Sequence, residues 1–176
     1  MVSSFERGVP PAMQSHEPFD ERLTMTPEER LTSLGLTLPA PLPPRANYIA
    51  YRRVGDLIFL AGHGPRLPDN TYRVGRIGSA DQIAGAYADA QLTGLNMLAT
   101  LKEALGELHR VRAVVKLLGM VNAEPTFTEH FKVIDGCSAL LVDVFGEAGR
   151  HARSAVGMGS LPNGMTVEVE AIFQVS

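Results

Sequence analysis

The run from Thr166 to Val175 constrains the fold more than any other stretch of this chain. Val167, Val169, Ala171 and Phe173 alternate with Glu168 and Glu170, so an extended backbone places apolar side chains on one side and carboxylates on the other. Such a strand belongs in a sheet covered on one face, and the cover must come from elements with matching apolar stripes. Two segments supply them. After Ser79, residues Ile83, Tyr87, Leu92, Leu95, Leu98, Leu101 and Leu105 recur at three- to five-residue intervals and end at Gly106, which predicts a long helix. Phe127, Phe131, Ile134, Leu141 and Phe145 predict a second helix that stops at Gly146.

The remaining strands fall around these helices. Asn47–Val54 and Leu57–Ala61 are β-rich runs separated by Gly55-Asp56, a hairpin signal. Glycines, prolines and Asp69-Asn70 make the segment from Gly62 to Gly78 a long loop. Val111–Met120 is apolar and β-branched, as a buried strand is, although it lacks clean alternation. Arg153–Gly159 reads as a strand joined to the last one through Leu161-Pro162-Asn163-Gly164, so the two are expected to form a hairpin. The order is ββαβαββ, an α+β fold with a mixed sheet and two helices packed on one face.

Residues 1–25 contain Pro10-Pro11 and Ser15-His16-Glu17-Pro18 without apolar periodicity, so a flexible tail is expected there. Residues 26–45 form a lead-in. Thr26-Pro27-Glu28-Glu29 is a capping box that starts a short helix ending at Gly35, and Leu38 to Pro44 should run as polyproline II. Residues 46–176 make up the folded domain. With 16 basic and 19 acidic side chains the net charge is −3, which supplies no broad basic field for a nucleic-acid backbone. The start Met1–Arg7 lacks the apolar region of a secretory signal, and no run approaches the ~20 apolar residues of a membrane span. A cytoplasmic protein without a membrane partner is expected.

Few residues offer chemistry. The five histidines show no helical i, i+4 pairing with each other or with cysteine, so no metal site is expected. Gly62-His63-Gly64 runs into Pro65 and not into a helix, which excludes a dinucleotide or phosphate loop. The single cysteine, Cys137, lies among Ile134 and Leu141 and reads as a small buried hydrophobe. Arg153 is different. It opens a strand whose next residues, Ser154-Ala155-Val156, are small or apolar, and an arginine entering a core needs an anion. That anion is either an internal carboxylate such as Glu168 or Glu170, or a bound carboxylate gripped by the guanidinium fork. The residues alone leave both open.

Several of these pieces together resemble a known family. His151-Ala152-Arg153-Ser154-Ala155-Val156, then Leu161-Pro162, then Val167-Glu168-Val169-Glu170-Ala171 resemble the closing signature of the Rid family, also called YjgF or endoribonuclease L-PSP. Asp56-Leu57-Ile58-Phe59-Leu60-Ala61-Gly62-His63-Gly64-Pro65 is similar to that family's strand ending in Ser/Ala-Gly-x-x-Pro. The resemblance covers residues 46 to 175, and the lead-in from Thr26 to Arg45 resembles a longer subgroup. It implies a chorismate-mutase-like fold in a homotrimer, with sheets turned inward and clefts at the subunit interfaces.

The implied activity is hydrolysis of reactive enamines and imines, of the 2-aminoacrylate type, to 2-keto acids and ammonia without a cofactor. By position, Arg153 would hold the substrate carboxylate and Glu168 would orient the attacking water. Tyr48 would close the pocket from a neighbouring subunit, Gly62 and Ala155 would offer backbone groups, and His63 and His151 are candidates for its lining. The sequence departs from the pattern at Ala155, where the family often has cysteine, at Asp135, where asparagine is common, and at His63, where glutamine is usual. Two other readings accompany the deaminase: a non-catalytic trimer binding a small carboxylate, and an RNA-cleaving or translation-inhibiting protein.

Overall fold

The computed structural model describes residues 24–41 and 47–176. The tail expected over residues 1–25 lies, apart from its last two residues, outside the described part, as do residues 42–46 at the end of the proline-rich lead-in.

The capping box starts helix α1, Pro27–Ser33, with the Glu29 amide donating to Thr26 Oγ1 and the Thr26 amide to Glu29 Oε2 at 2.7 Å. Strands β1, Tyr51–Val54, and β2, Leu57–Leu60, form the expected hairpin, and Gly55 at φ +61° turns it. Helix α2, Ile83–Leu105, leads to β3, Val111–Asn122; helix α3, His130–Phe145, leads to β4, Ala152–Met158; and β5, Val167–Val175, closes the chain. Register shifts between Val111 and Ala113 and between Val114 and Lys116 explain why β3 lacks alternation: it bulges there. The segment from Gly62 to Gly78 is more ordered than a plain loop, with bridges Arg66–Tyr72, Val74–Met165 and Ile77–Ala123.

The strand order β1-β2-β5-β3-β4 corrects one expectation. β4 and β5 do not form a hairpin. β3 lies between them, antiparallel to β5 and parallel to β4. Parallel neighbours need a crossover, and α3 is that crossover between β3 and β4. β5 buries every second side chain and takes a central place, whereas β4 leaves Val156 and Met158 exposed and takes an edge.

Both long helices cover one face of the sheet, above Leu117, Val121, Val167, Val169 and Phe173. Glycines let α2 and α3 come close: a Cβ on Gly136 would fall 2.1 Å from the Tyr87 carbonyl oxygen, and one on Gly94 would fall 2.8 Å from Leu140 Cδ2. Cys137 sits in this crossing, fully buried, and burial pushes its thiol up to about 12, which leaves it unreactive. The opposite face is bare and partly apolar, with Phe59, Val156 and Met158 each more than a third exposed. Among the described residues no helix is long and apolar enough to cross a membrane.

Candidate functional site

Arg153 projects from edge strand β4 toward α3. Its Nη1 donates to Asp135 Oδ1 at 2.7 Å and to Ser138 Oγ at 3.0 Å. The internal anion that this arginine requires is therefore Asp135, and neither Glu168 nor Glu170 supplies it. Asp135 and Ser138 are one helical turn apart on α3, so a single helix face presents both to the strand.

The network continues into His151. Its Nδ1 lies 2.7 Å from the Gly149 carbonyl, which only accepts, so Nδ1 carries the proton. Nε2 is then an acceptor for the Ser138 hydroxyl at 3.1 Å, and the Ser138 oxygen accepts from Arg153 in turn. Burial holds the His151 pKa below its ordinary value, with the Arg153 charge acting the same way against the Gly149 hydrogen bond. The result is a neutral histidine that fixes the serine rotor behind the guanidinium. The sequence pointed to Arg153 and His151, but pairing with Asp135 and Ser138 escaped it. Their i, i+3 spacing on a helix preceding a strand arginine was the available signal.

Glu168 occupies β5 on the bare face. Met120 of β3 lies opposite it, and Val156 of β4 lies opposite Met120. Arg153 lines up with Leu117 and, through it, with Ala171, so the two candidates are two strands apart, offset along the sheet and on opposite faces. The hairpin expected of the strands that carry them would have brought the two side by side, and the strand order corrects it. Glu168 meets Gly62 instead: a Cβ there would fall 2.0 Å from Oε1, so only glycine lets the carboxyl lie against the end of β2. Burial, and then the charge of Glu170, raises the Glu168 pKa. Among the described residues this carboxyl has neither a hydrogen bond nor an ion pair, unlike Asp135.

The other candidates separate. Ala155 is part-buried on β4 beside Gly119 and packs against the core. Tyr48 precedes β1, at the sheet edge opposite Arg153, and is 59% exposed. His63 is buried, with Nδ1 on the Ala61 carbonyl at 2.7 Å and Nε2 on Thr100 Oγ1 at 2.9 Å. Its parity places it under α2, and only its neighbour Gly62 reaches the bare face. On that face a depression of about 400 Å³ is lined by Phe59, Lys116, Leu118, Ser154, Glu170 and Ile172. Among the described residues no group of three or more His, Cys, Asp or Glu side chains is placed to hold a metal ion.

Comparison with known proteins agrees with the architecture. The family model described as "YjgF/chorismate_mutase-like, putative endoribonuclease" matches residues 28–169. Protein TCP17 of Trypanosoma cruzi is 39% identical over 147 residues, which cover 83% of this chain and 92% of that one. The crystal structure of Atu1372 from Agrobacterium tumefaciens, a protein of unknown function, is 41% identical with a TM-score of 0.78 over 85% of this chain and 92% of that chain. An endoribonuclease candidate of Shewanella oneidensis is 35% identical with a TM-score of 0.81, over 86% of this chain and 100% of that chain. A family match running from α1 into β5, together with the close superposition on the Shewanella structure, makes this chain a member of the YjgF, or Rid, family.

Proposed function

We propose that the protein hydrolyses reactive 2-imino acids and their enamine tautomers to 2-keto acids and ammonia, at clefts formed between copies of the chain. The observation that carries this reading is Glu168. It is a half-buried carboxyl with a raised pKa, held against a glycine and left without an internal partner, which is the state of a working acid-base group and not of a structural ion pair. In the reaction the Glu168 carboxylate takes a proton from water as the oxygen bonds to the carbon of the protonated imine, whose C=N π pair passes to nitrogen, giving a neutral carbinolamine. The carboxylic acid then returns the proton to nitrogen, the C–N bond breaks as the oxygen lone pair forms the carbonyl, ammonia leaves, and the hydroxyl proton passes to the regenerated Glu168 carboxylate and on to solvent. Water and imine are consumed one for one, so no cofactor enters the balance.

Arg153 supplies the other half of the reading by holding the substrate carboxylate with the guanidinium N–H groups that Asp135 and Ser138 leave free. Because Arg153 and Glu168 lie on opposite faces of one sheet, a small substrate touches both only where Arg153 of one copy approaches Glu168 of another. The bare apolar face supports such an assembly, and a trimer closes it without leaving an open edge. The RNA-cleaving reading is weaker, since a net charge of −3 offers little counterion release.

The test is a coupled assay in which an amino-acid oxidase generates 2-imino acids and their loss is followed with and without the protein. Accelerated loss that disappears in Arg153→Ala and Glu168→Gln supports the reading. An unchanged rate with the parent protein, alongside calorimetric binding of 2-keto acids, would favour a non-catalytic binder.

A further inference from the structure

Arg153 does not await its ligand as a free cation. Asp135 neutralises it from 2.7 Å, and the pair differs in exposure: the Arg153 side chain is 22% exposed and that of Asp135 is 49%. Both internal hydrogen bonds of the guanidinium fall on Nη1, so Nη2 and Nε keep their donors, and Asp135 Oδ2 keeps its acceptor, among the described residues. The site therefore presents a donor edge next to an unused anionic oxygen. A ligand with a carboxylate alone meets that oxygen as a like charge. A ligand whose carboxylate is one carbon away from a cationic nitrogen meets both halves with the opposite sign.

We infer that Asp135 makes the Arg153 site selective for α-iminium and α-amino acids, in which a cationic nitrogen adjoins the carboxylate, over 2-oxo acids that carry the carboxylate alone. The chemistry gives this selection a use. For a reaction that turns an iminium acid into a 2-oxo acid, a site that favours the zwitterionic reactant disfavours retention of the anionic product, so product leaves readily. Ser138 and His151 assist by fixing Nη1, which holds the plane of the guanidinium and leaves Nη2 and Nε to a ligand.

The inference rests on Arg153 as the carboxylate-binding group, and its test separates the two claims. Calorimetry compares 2-aminobutyrate with 2-oxobutyrate, which share a carbon chain, on the full-length parent, Asp135→Asn, Asp135→Ala and Arg153→Ala, each checked for a parental melting curve. The parent is expected to prefer 2-aminobutyrate. Both Asp135 variants are expected to lose that preference, with 2-oxobutyrate binding gaining about tenfold, the scale of a close like-charge contact at a half-exposed carboxylate. A preference unchanged in the Asp135 variants while Arg153→Ala abolishes binding overturns the selectivity alone. Binding that survives Arg153→Ala, or the absence of binding of either ligand to any form, overturns the Arg153 reading and the selectivity with it.

Discussion

Arg153 and Glu168 share one sheet but look away from each other, Arg153 into the face packed by α3 and Glu168 out of the bare face two strands across. Two groups so placed cannot grip one small molecule within a single chain. Under the proposed mechanism their cooperation takes two copies, and that requirement can be tested without a structure of the assembly.

Arg153→Ala and Glu168→Gln are each expected to be nearly inactive. Co-refolded in equal amounts, they should recover roughly a quarter of parental imine hydrolysis, because in a closed ring that fraction of boundaries pairs an intact Arg153 with an intact Glu168. No recovery in mixed oligomers identified by mass would place both groups in one chain's site.

Gly62→Ala tests the contact that holds Glu168. The added methyl would meet Oε1 at 2.0 Å, but that oxygen ends a flexible side chain, so the carboxyl swings away and the backbone stays. Stability should fall by no more than about 1 kcal/mol. Turnover should fall about 10²-fold, the usual consequence of misplacing a catalytic group by an ångström. Melting curves and kcat measured side by side check the split; a large loss of stability with normal turnover of the folded fraction would contradict it.

Much of this arrangement was legible in the residues. The alternation in β5 and most of the stripes on α2 and α3 encode which face is covered, because burial acts on each side chain locally; of the α3 stripe, Phe127 lies before the helix and Phe131 is exposed. Gly55-Asp56 encoded its hairpin through the positive φ at glycine. The pairing of β4 was not legible: Leu161-Pro162-Asn163-Gly164 has turn chemistry, but a turn says how the chain bends and not which strand it then joins. From that one unreadable choice followed the expectation of a hairpin between the strands of Arg153 and Glu168. His63 illustrates a different limit. Its neighbours suggested a pocket loop, whereas its partner Thr100 lies 37 residues away on α2.

His63 should make the fold acid-sensitive. Burial holds its pKa below the ordinary 6.5, and burial does the same for His151. The unfolded chain then binds more protons than the native one at mildly acidic pH, so stability is full above about 6.5 and is lost as pH falls through the lower native values. Urea midpoints should be level between pH 8 and 7 and drop between pH 6.5 and 5. In His63→Asn the drop should shrink. Thr100→Val, which strips Nε2 of its partner, should cost about 1–3 kcal/mol at neutral pH. A midpoint that does not move below pH 6.5 in the parent would contradict the assignment.

Glu168 has its pKa raised by burial first and by Glu170 second, so its carboxylate forms only above the ordinary 4.5. The proposed mechanism needs that carboxylate to take the proton from water, so kcat/KM for imine loss should climb as pH rises through a limb lying above 4.5. Glu168→Gln keeps the size of the side chain and removes the titration. Its rate should fall by about 10²–10⁴-fold and the limb should vanish. The protonation of the imine itself contributes equally to both proteins, so the difference between the two profiles belongs to the enzyme. Glu170→Gln separates the two causes of the shift: without the neighbouring charge the limb should move toward lower pH, while burial keeps it above 4.5. Activity in Glu170→Gln should otherwise persist, because Glu170 is exposed and raises the Glu168 pKa only through its charge. If the limb survives unchanged in Glu168→Gln, another group carries the proton and the assignment of Glu168 falls, whatever the size of the rate loss.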